Sequence, residues 1–440
     1  MKKLSIVLIS AALLLAFAGC GGNSPSDPGG PVEIIVPGAN LAEKLAWLVT
    51  GAQSNTIHII QVTGTETLEK WKLAYTGKTG VTVRLAGVGG SSRTITLIGD
   101  KGSLFEIESG VTLELDSIIL KGVSDNTASL VTVKTGAALV MDAGSEISGN
   151  TNTSGSVYGG GVYVKGGTFT MNGGEISNNA ITTVGSYGGG GVFVDNEGSF
   201  TMDGGAKITD NESASGGGAV WMEGGSFTMK NGEISHNTAA SAGGAVCVYT
   251  GGSFTMDDGD ISYNNAAFSA GGVSIGSSGT FTMNGGDISN NTASGSGGGG
   301  GVSVGNYSTF TMNNGSISGN TASGSGDNGG GGVYVYGGTF IMNNNSIISG
   351  NEATNSSGGG VFIHFSGIFT MNNGSITGNT APLENGGGVY VYWGTFTMNS
   401  GTITTNIAAS GGGVYAMPDQ TLNLNGGSVI DNDPDVIVGP

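Results

Sequence analysis

Charge is scarce in this chain. Asp, Glu, Lys and Arg together make up 10% of its 440 residues. Basic residues are scarcer still: 14 Lys and Arg stand against 32 Asp and Glu, for a formal net charge of −18. Arg84 and Arg93 are the only arginines, and no Lys or Arg follows Lys230. A surface so poor in cations repels phosphate backbones, which argues against nucleic acid as a partner. Cysteine is nearly absent, with Cys20 and Cys247 alone, so no disulfide framework staples the fold. Glycine goes the other way, at 88 residues, a composition that alone reads as low complexity. Yet 37% of the residues are apolar, and disordered chains are poor in the Phe, Ile, Val and Met found here. The order of those apolar residues decides the matter.

One long apolar run exists, Leu4 to Ala18, behind Lys2 and Lys3. It is short for a membrane span and has the layout of a secretory signal. It ends in Phe17-Ala18-Gly19-Cys20, which resembles the lipobox of bacterial lipoproteins. That resemblance implies cleavage before Cys20, lipid on Cys20, and an address in the bacterial cell envelope, at the outer membrane or cell surface. Membrane contact is then through the lipid anchor only, and several acyl chains on one residue hold firmly because each buried methylene adds about 0.8 kcal/mol. Residues 1–20 are thus the expected signal peptide. Residues 21–38, opening with GGNSPSDPGGP, are the expected flexible tether.

From there a repeat takes over. Markers at Leu115, Met141, Met171, Met202, Met229, Met256, Met283, Met312, Met342, Met371, Met398 and Leu424 are 26 to 31 residues apart, a period that signals a repeat architecture. Phe or Leu sits two residues before each marker, so both side chains share one face of a strand. Every repeat holds a Val-x-Val strand, a Phe-Thr-Met strand and a third strand centred on Ile, as at Ile176 or Ile261. Nothing within the repeats has a 3.6-residue period, which excludes a helical solenoid. The expected fold is all-β: a single-stranded right-handed parallel β-helix of about twelve or more coils with three short strands each. Phe, Met and Ile form its inner columns, and regular coils span 115–440.

Three residues after the third-strand apolar position come Asn150, Asn179, Asn211, Asn237, Asn264, Asn291, Asn320, Asn351, Asn379, Asn406 and Asn432. Asn tolerates the left-handed backbone of a sharp corner, and stacked amides hydrogen-bond from coil to coil. This is the expected structural ladder. Glycine runs before Val-x-Val mark the next corner, and the segments between Asn and those runs vary most in length. Ahead of the repeats, residues 39–114 read as a capping helix followed by less regular coils. Asn40 to Glu43 has capping-box spacing, Leu41, Leu45, Trp47 and Leu48 supply an apolar side, and Gly51 ends the helix. Such a helix plugs the raw end of a strand stack.

Ile-Ser-x-Asn followed by Gly-Gly-Ala-Val, at Gly217 to Val220 and Gly243 to Val246, resembles the motifs of chlamydial polymorphic outer-membrane proteins. More broadly, residues 40–435 resemble the pectin-lyase-like β-helix proteins of bacterial surfaces, spirochaete lipoproteins among them. The resemblance is specific for fold and weak for activity, since that architecture hosts adhesins, lyases and hydrolases.

Pectate lyases of that fold hold Ca²⁺ through acidic residues on neighbouring coils, and the residue before the third-strand Ile makes an acidic column here. Glu233, Asp260 and Asp287 are its candidate Ca²⁺ ligands, because stacked carboxylates repel unless a cation intervenes. A catalytic base is harder to place. The two arginines precede the regular coils, and His236 and His364 stand alone. The middle residue of Val-x-Val faces outward, and in the last coils it reads Tyr334, Phe362, Tyr390 and Tyr415. Tyr336, His364 and Tyr392 share that face, with Trp393 beside them. The expectation is an exposed aromatic patch that binds a glycan or a host or matrix protein, with no resident cofactor beyond that Ca²⁺. Cys247 stands in the same outward column, read as a weakly polar filler with a modifiable thiol as the alternative. The functional expectation is a non-enzymatic adhesin or display scaffold, with a carbohydrate-active enzyme using the acidic column as the alternative.

Overall fold

In the computed structural model the repeats coil into an all-β, right-handed parallel β-helix of about 15 turns. The structure describes residues 31–154, 158–185, 187–295, 297–324, 329–434 and 437–439. The expected signal with Cys20, and the tether as far as residue 30, lie outside the described residues.

The three expected strands build three sheets. The Phe-Thr-Met sheet has 15 strands, and the Val-x-Val and Ile sheets have 14 each. Equivalent residues pair in register, as in Phe200 with Phe227, Thr201 with Thr228 and Met202 with Met229. Alternation then fixes the layers: Phe227 and Met229 are fully buried, while Thr228 between them faces outward. Phenylalanines from Phe169 to Phe396 stack ring on ring with centroids between 4.6 and 5.0 Å apart. Burying each such ring stabilises the coil by about 1.5–3 kcal/mol, so the columns are the source of the fold's rigidity.

A fourth sheet, 10 strands of mostly two residues such as Thr238–Ala239, follows the Asn corner. It was not expected, because two residues carry no periodic signal. From Ser213 on, its second residue is small and buried, as at Ala239, Ala266 and Ala293.

The start of the domain also departs from expectation. Val32–Ile35, assigned above to the flexible tether, is a strand that pairs in parallel with Thr56–Ile59. Its β-branched residues suit the open edge of that strand, which would otherwise present unpaired backbone groups. Helix Leu41–Gly51 then covers the end of the stack with Leu41, Leu45 and Leu48 buried, and Trp47 packs at the margin. The Glu43 N–H donates to Asn40 Oδ1 at 2.9 Å, and the Glu43 carboxylate accepts from the Ala39 N–H at 2.9 Å. The cap therefore reaches one residue further back than a standard box.

Candidate functional site

The outer face of the Val-x-Val sheet is where the chain departs from plain repetition. Two side-chain columns leave this face: the middle residue of each Val-x-Val, and the residue just after the second Val. The first was expected to be exposed, and the structure corrects this. Tyr334, Phe362 and Tyr390 are 3%, 0% and 4% exposed, and Tyr163, Phe193 and Trp221 earlier in the column are buried as well. They form satellite clusters outside the β-helix core. The segment entering each strand runs back over the rings. A Cβ on Gly358 would sit 2.7 Å from Phe362 Cβ, and one on Gly386 would sit 2.7 Å from Tyr390 Cβ. Both glycines have positive φ, so here lack of a side chain and access to the left-handed region are required together. Cys247 is fully buried in the same column, its thiol 3.0 Å from the Ala242 carbonyl, and burial pushes that thiol up. A buried thiol held in its neutral form is inert, which removes the modification reading.

What remains accessible lies one step along. Tyr336, His364, Tyr392 and Tyr415 are half-buried, and Trp393 is 51% exposed. The Tyr334 hydroxyl and His364 Nδ1 are 3.1 Å apart. Tyr336 stacks on Phe365 with centroids 4.8 Å apart, and Phe365 meets Trp393 edge to face at 5.5 Å. Phe365 escaped the sequence reading because it sits in a turn. Its φ of 51° is one a bulky residue adopts at a cost, which Gly at the same turn avoids. The result is a ridge of rings, Tyr336–Phe365–Trp393, at the corner between two sheets.

The Asn ladder occupies the opposite corner and runs inside the molecule. Asn179 through Asn406 are no more than 1% exposed. Each donates its backbone N–H and its side-chain amide to the Oδ1 of the next, and the same amide donates to an Ile carbonyl one coil back, as Asn264 does to Asn291 and Ile234. Asn126 extends the column one coil earlier through Asn150 Oδ1 at 2.8 Å. The left-handed residue is not the ladder Asn but the one before it: Asn178, Asp210, His236, Tyr263, Asn290 and their counterparts. The ladder Asn is therefore kept for its amide and not for its backbone. A second, outer amide ladder follows Met in the later coils, from Asn284 on, where Asn343 donates to Asn313 at 3.0 Å and Asn372 to Asn343 at 2.8 Å.

Glu233, Asp260 and Asp287 do stand on consecutive rungs. Glu233 is engaged elsewhere: it accepts from Lys207 Nζ at 2.8 Å and from the Ser235 hydroxyl at 2.6 Å, which holds its carboxyl below the usual range. Partial burial, then Asp287 and Glu233, pushes the Asp260 carboxyl up. Among the described residues no group of three or more His, Cys, Asp or Glu side chains converges as a metal site would. The column is thus a set of separate carboxylates with an ammonium beside them.

Fold and surface together define a right-handed parallel β-helix protein with a partly covered aromatic outer face. The family model described as right handed beta helix region matches residues 160–340, the most regular coils. No curated protein and no solved structure matches the chain.

Proposed function

We propose that this chain is a non-enzymatic binding protein of the bacterial cell envelope, anchored by lipid on Cys20, whose β-helix holds glycans or host or matrix proteins. The observation that carries this reading is the exposed ridge Tyr336–Phe365–Trp393, with Phe365 in a strained backbone conformation. Rigid rings on a rigid scaffold lose little entropy on binding. A glycan and matrix-protein array with the full chain tests it. Binding without product release supports the reading, and Trp393→Ala should weaken that binding with the circular-dichroism spectrum unchanged. Cleavage of an arrayed polysaccharide would reject it.

One observation favours the enzyme reading. Asp260, raised, and Glu233, lowered, line a shallow groove of about 340 Å³ with Lys207 beside them. Adjacent carboxyls pushed apart in this way are the pattern of an acid and its partner in glycoside hydrolysis. Release of reducing ends from a polysaccharide by the wild-type chain, abolished by Asp260→Asn, would select this reading.

A further inference from the structure

The two outward columns of the Val-x-Val sheet are interrupted at the same two rungs. The first reads Trp221, Cys247, Ser274, Ser303, Tyr334, and the second reads Glu223, Tyr249, Gly276, Gly305, Tyr336. Large side chains are thus replaced by Ser and Gly in two consecutive coils and resume together in the third. Three strand spacings separate Tyr249 from Tyr336, about 14 Å. The missing rings leave a cleft of about 470 Å³, inside the range of small-molecule sites.

Its walls and floor differ in chemistry. Tyr249 and Tyr336 close the two ends, and Phe268, 52% exposed, stands at the rim. Between them Ser241 brings a hydroxyl at the side, while Ser269, Ser274 and Ser303 form a largely covered hydroxyl floor, with the Ser269 and Ser303 oxygens 3.2 Å apart. Among the described residues, no Asp, Glu, Lys, Arg or His lines it. Burial pushes the Tyr249 phenol up to about 12, so it is neutral over the physiological range. A charged ligand would lose hydration here without gaining a counter-charge. The ligand that fits has flat apolar faces for the rings and a rim of hydroxyls for the serines.

Resting on the binding reading above, we propose that this cleft is a subsite for one or two sugar residues of a neutral glycan, which continues from Tyr336 along the ridge toward Trp393. Ser274 and Ser303 set its depth, since an aromatic residue at either position would restore the uninterrupted column seen at Phe362. Tyr249 is the wall remote from the ridge.

Isothermal titration of the full chain tests this with linear hexasaccharides of glucose, galactose or mannose as neutral probes and hexagalacturonate as the acidic one. A neutral probe is expected to bind, with hexagalacturonate weaker by roughly tenfold or more, and Ser303→Phe should lower the neutral affinity by roughly tenfold, about 1.4 kcal/mol. Tyr249→Ala, which opens the cleft instead of filling it, should also weaken binding, and thermal melts identify a variant that fails to fold. Preference for hexagalacturonate, or a folded Ser303→Phe chain with unchanged affinity, would overturn the proposal. If Ser303→Phe is silent while Trp393→Ala weakens binding, the cleft falls and the ridge reading survives. If neither sugar nor matrix protein binds the wild-type chain, the binding reading itself falls.

Discussion

Asn291 and Asn320 are joined twice: the backbone N–H and the side-chain amide of Asn291 both donate to Asn320 Oδ1, at 2.9 and 3.0 Å. The same Asn291 amide also donates to the Ile261 carbonyl one coil back, at 2.9 Å. One fully buried side chain therefore satisfies groups in three successive coils. Asn291→Ala leaves a buried N–H and a buried carbonyl without partners, each costing about 1–3 kcal/mol. The expected result is a lower denaturant midpoint, corresponding to a loss of about 2–6 kcal/mol in total. Asn372→Ala in the outer ladder removes a bond at 2.8 Å to Asn343 where water replaces it, and should change stability by no more than about 0.5 kcal/mol.

Phe254 lies between Phe227 and Phe281 with centroids 4.7 Å away on either side. Phe254→Ala empties a slot that its stacked neighbours cannot close without shifting two coils. The expected loss is about 3–5 kcal/mol. Because each coil touches only its neighbours, the broken rung should also divide unfolding into two transitions, seen by calorimetry.

The early coils carry a dense charge network, and it sets a pH dependence. Burial alone raises the Glu108 carboxyl, but hydrogen bonds from Lys134 at 2.7 Å and Lys72 at 2.6 Å outweigh burial and hold it at about 2. A carboxyl lowered by folding contributes stability that is fully present above its ordinary pKa and is lost as pH falls through the folded value. The melting temperature should therefore decline between about pH 4.5 and pH 2. Glu108→Gln should flatten that decline and lower the plateau above it.

Phe365 sets stability against use. Phe365→Gly relieves a positive φ and should leave the melting temperature unchanged or raise it, by up to about 1 kcal/mol of stability. The same change removes the middle ring of the ridge and should weaken glycan or matrix-protein binding. A variant that melts lower and binds normally would contradict the role given to this residue.

The inner columns were legible because Phe, Met and Ile recur at fixed offsets and strand alternation assigns their direction without further information. The buried Asn column was legible for the same reason. The burial of Tyr334, Phe362 and Tyr390 was not, because the segments that cover them, around Gly358 and Gly386, belong to stretches whose length changes from coil to coil. Ser274 and Ser303 were visible as small residues in an aromatic column, and only the covering loops turn that interruption into a cleft. The left-handed corner was misplaced by one residue because its occupants, among them Asn178, His236, Tyr263 and Gly319, share a backbone conformation and no chemistry.

Every surface described above exists only if equivalent residues in successive coils lie one above another. Electron–electron distances between spin labels test that most directly, with labels on the outward positions Thr201, Thr311 and Thr397 of the Phe-Thr-Met sheet. Four strand spacings separate Thr201 from Thr311 and seven separate it from Thr397, so narrow distributions centred near about 19 Å and about 34 Å are expected. Distances that do not grow by a constant step per coil, or distributions too broad to centre, would contradict the stacked arrangement and the binding face built on it.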